Sequence, residues 1–475
     1  MRTTKIVATL GPSTDTPQIA RKLLDAGVDV FRLNASHGVQ EDHLRRMNMV
    51  RELAAETGVR IGILLDLQGP KIRLGTFEDG GCTLETGSQF RITTDQIVAG
   101  TCERASTTYK DFVKDVKAGD QVLLADGSVE LRVIDKTATD AICEVVSGGK
   151  ISDRKGINLP GVDVSAASLS KKDIADLRFG LEAGIDFVAL SFVRKRDDVL
   201  RLRLHLEEAD SHVQIISKIE KPEAWTNLDA IMEESDGVMV ARGDLGVEMA
   251  LEKVPFIQKS IIARARQHGK FVITATQMLE SMMENPYPTR AEVSDIANAI
   301  YDGTDAVMLS GETSAGKYPV EAARMMAKIA LEAEASLKVE GYKDPPRREQ
   351  TPTYQETMAD ITYRCARMQG ATGIIVFTAS GSSARLVSKY RPPVPIFAFT
   401  GSEAVARQLS IIYGVRALVV PDPVSTDAMV LLIDQTLLGQ GLVKLRDNVV
   451  FMAGQPIGRP GTTNFVKLHR MGDIW

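Results

Sequence analysis

The sequence predicts an α/β chain: a (β/α)8 barrel interrupted by a small inserted β domain and followed by a separate α/β domain. Three observations carry this reading. Between Lys5 and Ser336, short runs rich in Val and Ile alternate with amphipathic helical stretches. One interval is about 90 residues longer than a crossover helix needs and is rich in Gly, Thr and alternating apolar residues. Beyond a charged, proline-bearing stretch, KVEGYKDPPRREQTPTY, the strand and helix alternation begins again.

The runs, in order, are KIVATLG, VDVFRLN, RIGILLDL, IDFVALSF, VQIISKIE, DGVMVARGD, FVITATQM and DAVMLSGE. Apart from the long interval they recur every 21 to 37 residues or so, the length of a strand, a turn and a crossover helix, and strict alternation implies a parallel sheet. Eight such units close into a (β/α)8, or TIM, barrel, expected over residues 1–70 and 162–340. The interruption, residues 71–161, reads as a small β-barrel lid domain. The runs GIIVFTAS, PIFAFTG, RALVVP and NVVFMAG then give the C-terminal α/β domain, residues 341–475.

Length agrees: 475 residues exceed the roughly 250 to 300 at which one core stops growing. With 44% apolar and 25% charged residues the composition is that of an ordinary globular chain. A net charge of -5 argues against non-specific nucleic-acid binding, yet leaves room for a local basic cluster holding a small anion. The four cysteines, Cys82, Cys102, Cys143 and Cys365, form no CxxC pair, so neither a zinc site nor a disulfide framework is indicated. The N-terminal apolar run is too short for a signal peptide, and no stretch of about 18 apolar residues exists to cross a membrane. A soluble, cytoplasmic protein without membrane partners is expected.

Parallel barrel strands are buried and should be continuously apolar. Polar residues nevertheless stand at the carboxyl end of almost every run: Arg32, Asn34 and Ser36, then Asp66, Ser191, Lys218 and Glu220, Arg242 and Asp244, Thr276, Ser310 and Glu312. Barrel enzymes build their active sites on that face. Any single one of these residues could instead cap a helix or pair across the mouth. Lys218 and Glu220, two apart, share one face of a strand, and Arg242 and Asp244 repeat the spacing on the next. Glu220 and Asp244 are then carboxylates on neighbouring strands, a seat for Mg²⁺ or Mn²⁺. Lys218 is either their counter-ion or faces a transferring phosphoryl group. Gly243 and Gly246 let the chain turn into a short helix whose amides can hold an anion.

The blocks FRLNASHG, LDLQGPKIRLG, IISKIEKPEAW, MVARGDLGVE, ITATQMLESM and PTRAEVSDIANAIYDGTDAVMLSGETSAGKYP resemble the pyruvate kinase family, in order and over essentially the whole chain. The resemblance implies transfer of a phosphoryl group from phosphoenolpyruvate to ADP, giving pyruvate and ATP, the last step of glycolysis. By position it implies that Glu220 and Asp244 bind the divalent metal, that Gly243, Asp244 and Thr276 line the phosphoenolpyruvate site, and that Lys218 and Arg32 meet the phosphoryl group. It implies nucleotide contacts from Asn34, Ala35, Ser36, His37, Arg73 and Lys155, with Lys155 carried on the lid, and protonation of the enolate near Thr276 through water. His37 could equally be a cap. Members that require K⁺ carry Glu where this chain has Lys71, and Thr-Lys where it has Leu67-Gln68, so activity without K⁺ is expected; Asn34, Ser36 and Asp66 remain as weak monovalent ligands. The loop TASGSSARLVSKYRP, with Thr378, Ser380, Gly381, Ser382 and Ser383, is the family's site for a phosphorylated allosteric activator, a sugar phosphate or a nucleoside monophosphate, unless it only caps a helix. By analogy a homotetramer is expected.

Three other readings compete. A barrel aldolase or lyase acting on a keto acid would use Lys218 as a Schiff base, and a non-catalytic metabolite sensor would not need the full set of metal, lysine and arginine positions. The third, a P-loop ATPase, rests on GETSAGKYP, Gly311 to Pro319, but a P-loop needs Ser or Thr after its Lys, and Tyr318 and Pro319 stand there.

Overall fold

The computed structural model describes residues 2–340, 351–456 and 461–473. Eight parallel strands close into a barrel in chain order: Lys5–Thr9, Val30–Asn34, Gly62–Asp66, Phe187–Leu190, Gln214–Ile219, Gly237–Ala241, Phe271–Ala275 and Ala306–Leu309. Each lies within one of the eight apolar runs. Helices between them begin where the sequence supplies caps: Ser170 and Asp173, and Thr289 and Glu292, form reciprocal capping boxes that satisfy the first free amides. Pro319 opens the last barrel helix, Pro319–Glu340, so GETSAGKYP is the turn that follows the eighth strand and not a nucleotide loop.

The lumen is filled by side chains from the strands around it, among them Val7, Val30, Leu64, Ile216, Met239 and Met308. Phe187 and Phe271 meet edge to face at 6.1 Å. Gly237 makes room for this pair, since a Cβ there would stand 2.3 Å from the Phe271 ring. A second, larger apolar layer lies between the strands and the surrounding helices.

The inserted strands form a six-stranded, mostly antiparallel sheet beside a two-stranded one, around their own core of residues such as Phe90, Phe112 and Leu131. The C-terminal sheet has five strands. Four follow the expected runs, and Thr463–Arg470 adds a fifth, antiparallel, at the edge. Its pattern, TNFVKLHR, has too little apolar alternation to announce a strand, as is common where an edge faces solvent. Most of the charged linker, residues 341–350, lies outside the described residues.

The C-terminal part closes the amino-terminal end of the barrel. Leu409, Ile411 and Ile412 belong to the same apolar cluster as the lumen residues. A Cβ on Gly62 would meet Ser410 Oγ and Phe187 Cε2, each at 2.8 Å. The carboxyl end stays open and polar. All four cysteines are free thiols, although Cys82 lies close enough to Cys102 that burial and their mutual hydrogen bond push the Cys82 thiol up to about 12. No described helix is long and apolar enough to cross a membrane.

Candidate active site

The polar strand ends meet in one ionic chain. Arg32 on the second strand approaches Asp66 on the third, with Nε and Nη2 each 2.8 Å from Oδ2. The other oxygen of Asp66 lies 3.5 Å from Lys218 Nζ on the fifth strand. Lys218 in turn contacts Glu220 Oε1 at 2.7 Å and donates to Ser191 Oγ at 2.9 Å. Arg32 is 8% exposed, Asp66 and Glu220 1%. Burial alone depresses the Lys218 ammonium, but the carboxylates of Asp66, Glu220 and Asp244 more than offset it and its pKa ends up raised. Burial pushes the Glu220 carboxyl above its ordinary value; Lys218 opposes this and the Asp244 charge adds to it. Asp66 is held low, burial notwithstanding, by Lys218 and Arg32.

The charges of Glu220 and Asp244 therefore oppose each other, and a divalent cation held by both would relieve that repulsion. No cluster of three or more His, Cys, Asp or Glu able to hold a metal exists among the described residues. Two carboxylates suit Mg²⁺, which keeps several positions for water and phosphate oxygens.

One local expectation fails. The sixth strand ends at Ala241, and Arg242–Glu248 is already helical, so Arg242, Gly243 and Asp244 do not repeat the strand spacing of Lys218 and Glu220. Asp244 reaches the site from the first turn of that helix. Arg242 turns away, pairs with Asp295 and donates to the carbonyls of Thr276 and Gln277, a tether and not a ligand. The expected short helix is present, but neither Gly243 nor Gly246 has a positive φ in it. Gly246 is there for space: a Cβ would stand 2.8 Å from Leu251 Cδ2. Gly243 presents its amide to Thr276 Oγ1 at 2.8 Å. Thr276 follows the seventh strand with φ of 65°, and Gln277 with 53°. For a β-branched residue this is a strained conformation, of the kind that collects at functional sites. Ser310 and Glu312 stay structural: the buried Glu312 carboxylate accepts from the amides of Ser310 and Leu279.

The turn after the second strand is built from its own groups. Asn34 Oδ1 accepts from the Ser36 amide at 3.1 Å, the Asn34 carbonyl from the His37 amide at 3.1 Å, and the Asp66 carbonyl from the Ala35 amide at 2.9 Å. His37 is exposed. Its pKa is lowered by partial burial and then by the charges of Lys71, Arg73 and Arg32, which marks this rim as strongly cationic. Asn34 and Asp66 sit side by side across the sheet, but Asp66 is committed to Arg32 and Lys218.

Between the insert and the mouth lies an open cavity whose walls include Lys71, Asp126, Asn158, Phe192, Lys221 and Asp244. Lys155 does not line it; it is exposed on the insert, with its carbonyl bonded to the Leu74 amide. Arg73 donates to the Arg154 carbonyl at 3.0 Å.

Comparison with known proteins matches this arrangement to one family. A family model described as pyruvate kinase, barrel domain, matches residues 1–323, and one described as pyruvate kinase, alpha/beta domain, matches residues 356–469. The chain belongs to the pyruvate kinase family. It is 46% identical over 472 residues to a pyruvate kinase of Corynebacterium glutamicum, covering 99% of this chain and 98% of that one. With a pyruvate kinase of Geobacillus stearothermophilus it shares 45% identity over 476 residues, covering 100% of this chain and 81% of that one. A crystal structure of a pyruvate kinase from Cryptosporidium parvum superposes with a TM-score of 0.91 at 37% identity, covering 99% and 96% of the two chains.

The C-terminal loop borders a second cavity. Thr378, Ser380, Ser382 and Ser383 line it, while Gly381, in the left-handed region at φ 80°, precedes the helix Ser382–Ser388 and donates to Thr378 Oγ1 at 2.9 Å. Among the described residues no Lys or Arg lines this cavity, and Asp422 does.

Two residues at the mouth escaped sequence reasoning. Phe192, in the left-handed region at φ 56°, aims its amide at Glu220 Oε2, 2.8 Å away. The contact is made by backbone, so its side chain carried no signal. Lys221 binds Glu248 Oε1 at 2.7 Å, and Asn158 of the insert donates to the same oxygen at 2.8 Å, joining the insert to the helix that carries Asp244. The second Lys of KIEKPE was visible as a charge but not as a link.

Proposed function

We propose that the chain performs the reaction for which its family is named. It is a phosphotransferase: the phosphoryl group of phosphoenolpyruvate passes to ADP, giving pyruvate and ATP. The observation that carries this reading is Lys218, its side chain only 12% exposed yet held charged by Asp66, Glu220 and Asp244. A lysine so surrounded is a poor Schiff-base nucleophile and a good partner for a phosphoryl group in flight, where fixed positive charge does most of the catalytic work. That disfavours the aldolase reading.

In this proposal the bond between phosphorus and the enol oxygen breaks as a bond from phosphorus to a terminal oxygen of ADP forms. Arg32 and Lys218 face the phosphoryl oxygens. Glu220 and Asp244 hold the divalent metal the family uses, Mg²⁺ or Mn²⁺, which when bound supplies further positive charge to phosphate and carboxylate. The Gly243 amide and Asp244 help seat phosphoenolpyruvate, and Thr276 orders the water that gives a proton to the enolate carbon. The turn Asn34 to His37, Arg73 and Lys155 meet the nucleotide, with residues 71–161 closing as a lid that excludes water. The exposed position of Lys155 agrees with a lid that has yet to close. A phosphorylated metabolite is proposed as activator for the cavity lined by Thr378, Ser380, Ser382 and Ser383, and a cytoplasmic homotetramer as the working form.

A coupled assay with phosphoenolpyruvate and ADP, with and without Mg²⁺, tests the reading: metal-dependent ATP formation is expected, and none at all overturns it. Lys71 lends a fixed charge at the cationic rim, so turnover is expected to be equal in Na⁺, K⁺ and tetramethylammonium salts. A strict K⁺ requirement sinks that part alone.

A further inference from the structure

The turn Asn34 to His37, proposed for the nucleotide, is supported by two helices that supply no group to the reaction. Carbonyl oxygens are the liability of such a turn, because a lone pair facing a diphosphate repels it. Here three of them are committed elsewhere. The Asn34 carbonyl accepts from the His37 amide within the turn. The Ala35 carbonyl accepts from Lys172 Nζ at 2.7 Å, and Lys172 belongs to the helix Lys171–Glu182. The His37 carbonyl lies 3.0 Å from Nε2 of His43, in the helix Gln40–Thr57. A carbonyl only accepts, so Nε2 carries the hydrogen of that ring. His43 is 5% exposed and its Nδ1 has no partner, which suits a neutral imidazole. Burial, and then the Arg46 charge, lower its pKa and act in the same direction.

The two supports are joined to each other. Asp176 pairs with Lys172 through one oxygen and accepts from Gln40 Nε2 at 3.0 Å through the other. Gln40 lies one helical turn before His43. Their base is anchored as well. Asp173, beside Lys172, closes the capping box with Ser170 and accepts from the Gly69 amide at 3.0 Å, where the chain leaves the third strand for the insert.

We propose that Lys172 and His43 are positioning residues for a nucleoside diphosphate, holding the Ala35 and His37 carbonyls back so that the turn offers its phosphates donors instead of lone pairs. The proposal rests on the reading of Asn34 to His37 as the nucleotide site, and deepens it. Neither residue was marked by its place in the sequence, since both lie on helices and not at strand ends.

Two measurements on the full chain separate the proposal from that reading. ADP with Mg²⁺, without phosphoenolpyruvate, is titrated by calorimetry into the unaltered protein, Lys172→Met, Lys172→Arg, His43→Leu and His43→Gln. Steady-state assays of the same proteins give kcat and both KM values. Expected is a loss of ADP affinity of roughly five- to tenfold in Lys172→Met and about threefold in His43→Leu, matched in KM for ADP, with KM for phosphoenolpyruvate within about twofold. Arg and Gln keep a donor within reach of the respective carbonyl and should restore most of the affinity. If His43→Leu does not fold, the Lys172 pair decides, since that side chain is half exposed. ADP affinity indifferent to these changes, or a loss that strikes both KM values and kcat together without rescue, overturns the proposal. An unaltered chain that makes no ATP but binds ADP with this dependence refutes the reaction and supports the two residues; one that binds no ADP refutes both.

Discussion

The two ends of the barrel are made of similar material and put it to different use. Both bury ion pairs. At the floor, backbone amides hold the carboxylates: Glu334 accepts from the amides of Thr3 and Thr4, and Asp305 accepts from those of Val272 and Tyr413 while pairing with Arg391. At the mouth the charges lean mainly on one another. Asp66 keeps an oxygen without a hydrogen bond, and three residues other than glycine, Phe192, Thr276 and Gln277, stand in the left-handed region. The difference is one of degree: the floor's carboxylates rest more on backbone amides, and more of the left-handed non-glycine backbone stands at the mouth. A buried charge stabilises when its partners are complete, and it is available for chemistry when they are not.

The sharpest way to break this contrast is to remove one charge at each end. Lys218→Met should lower kcat by roughly a thousandfold or more while the far-ultraviolet circular dichroism remains that of the folded chain. Asp305→Ala should do the reverse. It leaves the buried Arg391 uncompensated and should cost about 3 to 5 kcal/mol in denaturant unfolding, with kcat of the folded enzyme little changed. If the two variants behave alike, the distinction between the ends fails. A smaller effect separates strain from packing. Gln277→Gly relaxes a left-handed backbone at the mouth and should stabilise by about 1 kcal/mol, whereas Gly237→Ala at the packed end should destabilise by about 1 to 3 kcal/mol through collision with Phe271.

The smallest effect is one of pH. Glu356, at the C-terminal part's edge of the floor, has its pKa lowered: burial works against this, but the Thr353 amide and the Lys389 charge outweigh it. A carboxylate depressed in the folded state adds stability above its unfolded pKa, near 4.5, and loses it as pH falls through the lower folded value. Glu356→Gln should therefore flatten the stability curve below about pH 4.5 and lower it uniformly above.

What the sequence made legible follows the same division. Lys218 and Glu220 stood out because two polar residues interrupt a buried strand at its own period, and the structure puts them 2.7 Å apart. Asp244 was found by the same rule applied three residues past the strand's end, since the strand had already given way to a helix at Arg242. The Phe192 amide could not be found at all, because a backbone donor has no letter. The barrel was plain from eight recurring apolar runs. The fifth C-terminal strand was not, because half of its residues face water or the rim and its pairing with Asn448–Gly454 is decided by a partner, not by its own pattern.

The glycine at position 62 has a further consequence. It leaves a gap that Ser410 enters, so the floor of a barrel whose first strand begins at Lys5 is completed by residues about 350 positions later than the gap itself. A ribosome would release all eight strands before the piece that seals them. The nascent barrel must spend that interval with its lower lumen unsealed, which makes the junction around Leu409 to Ile412 the place where synthesis, folding and chaperone capture meet.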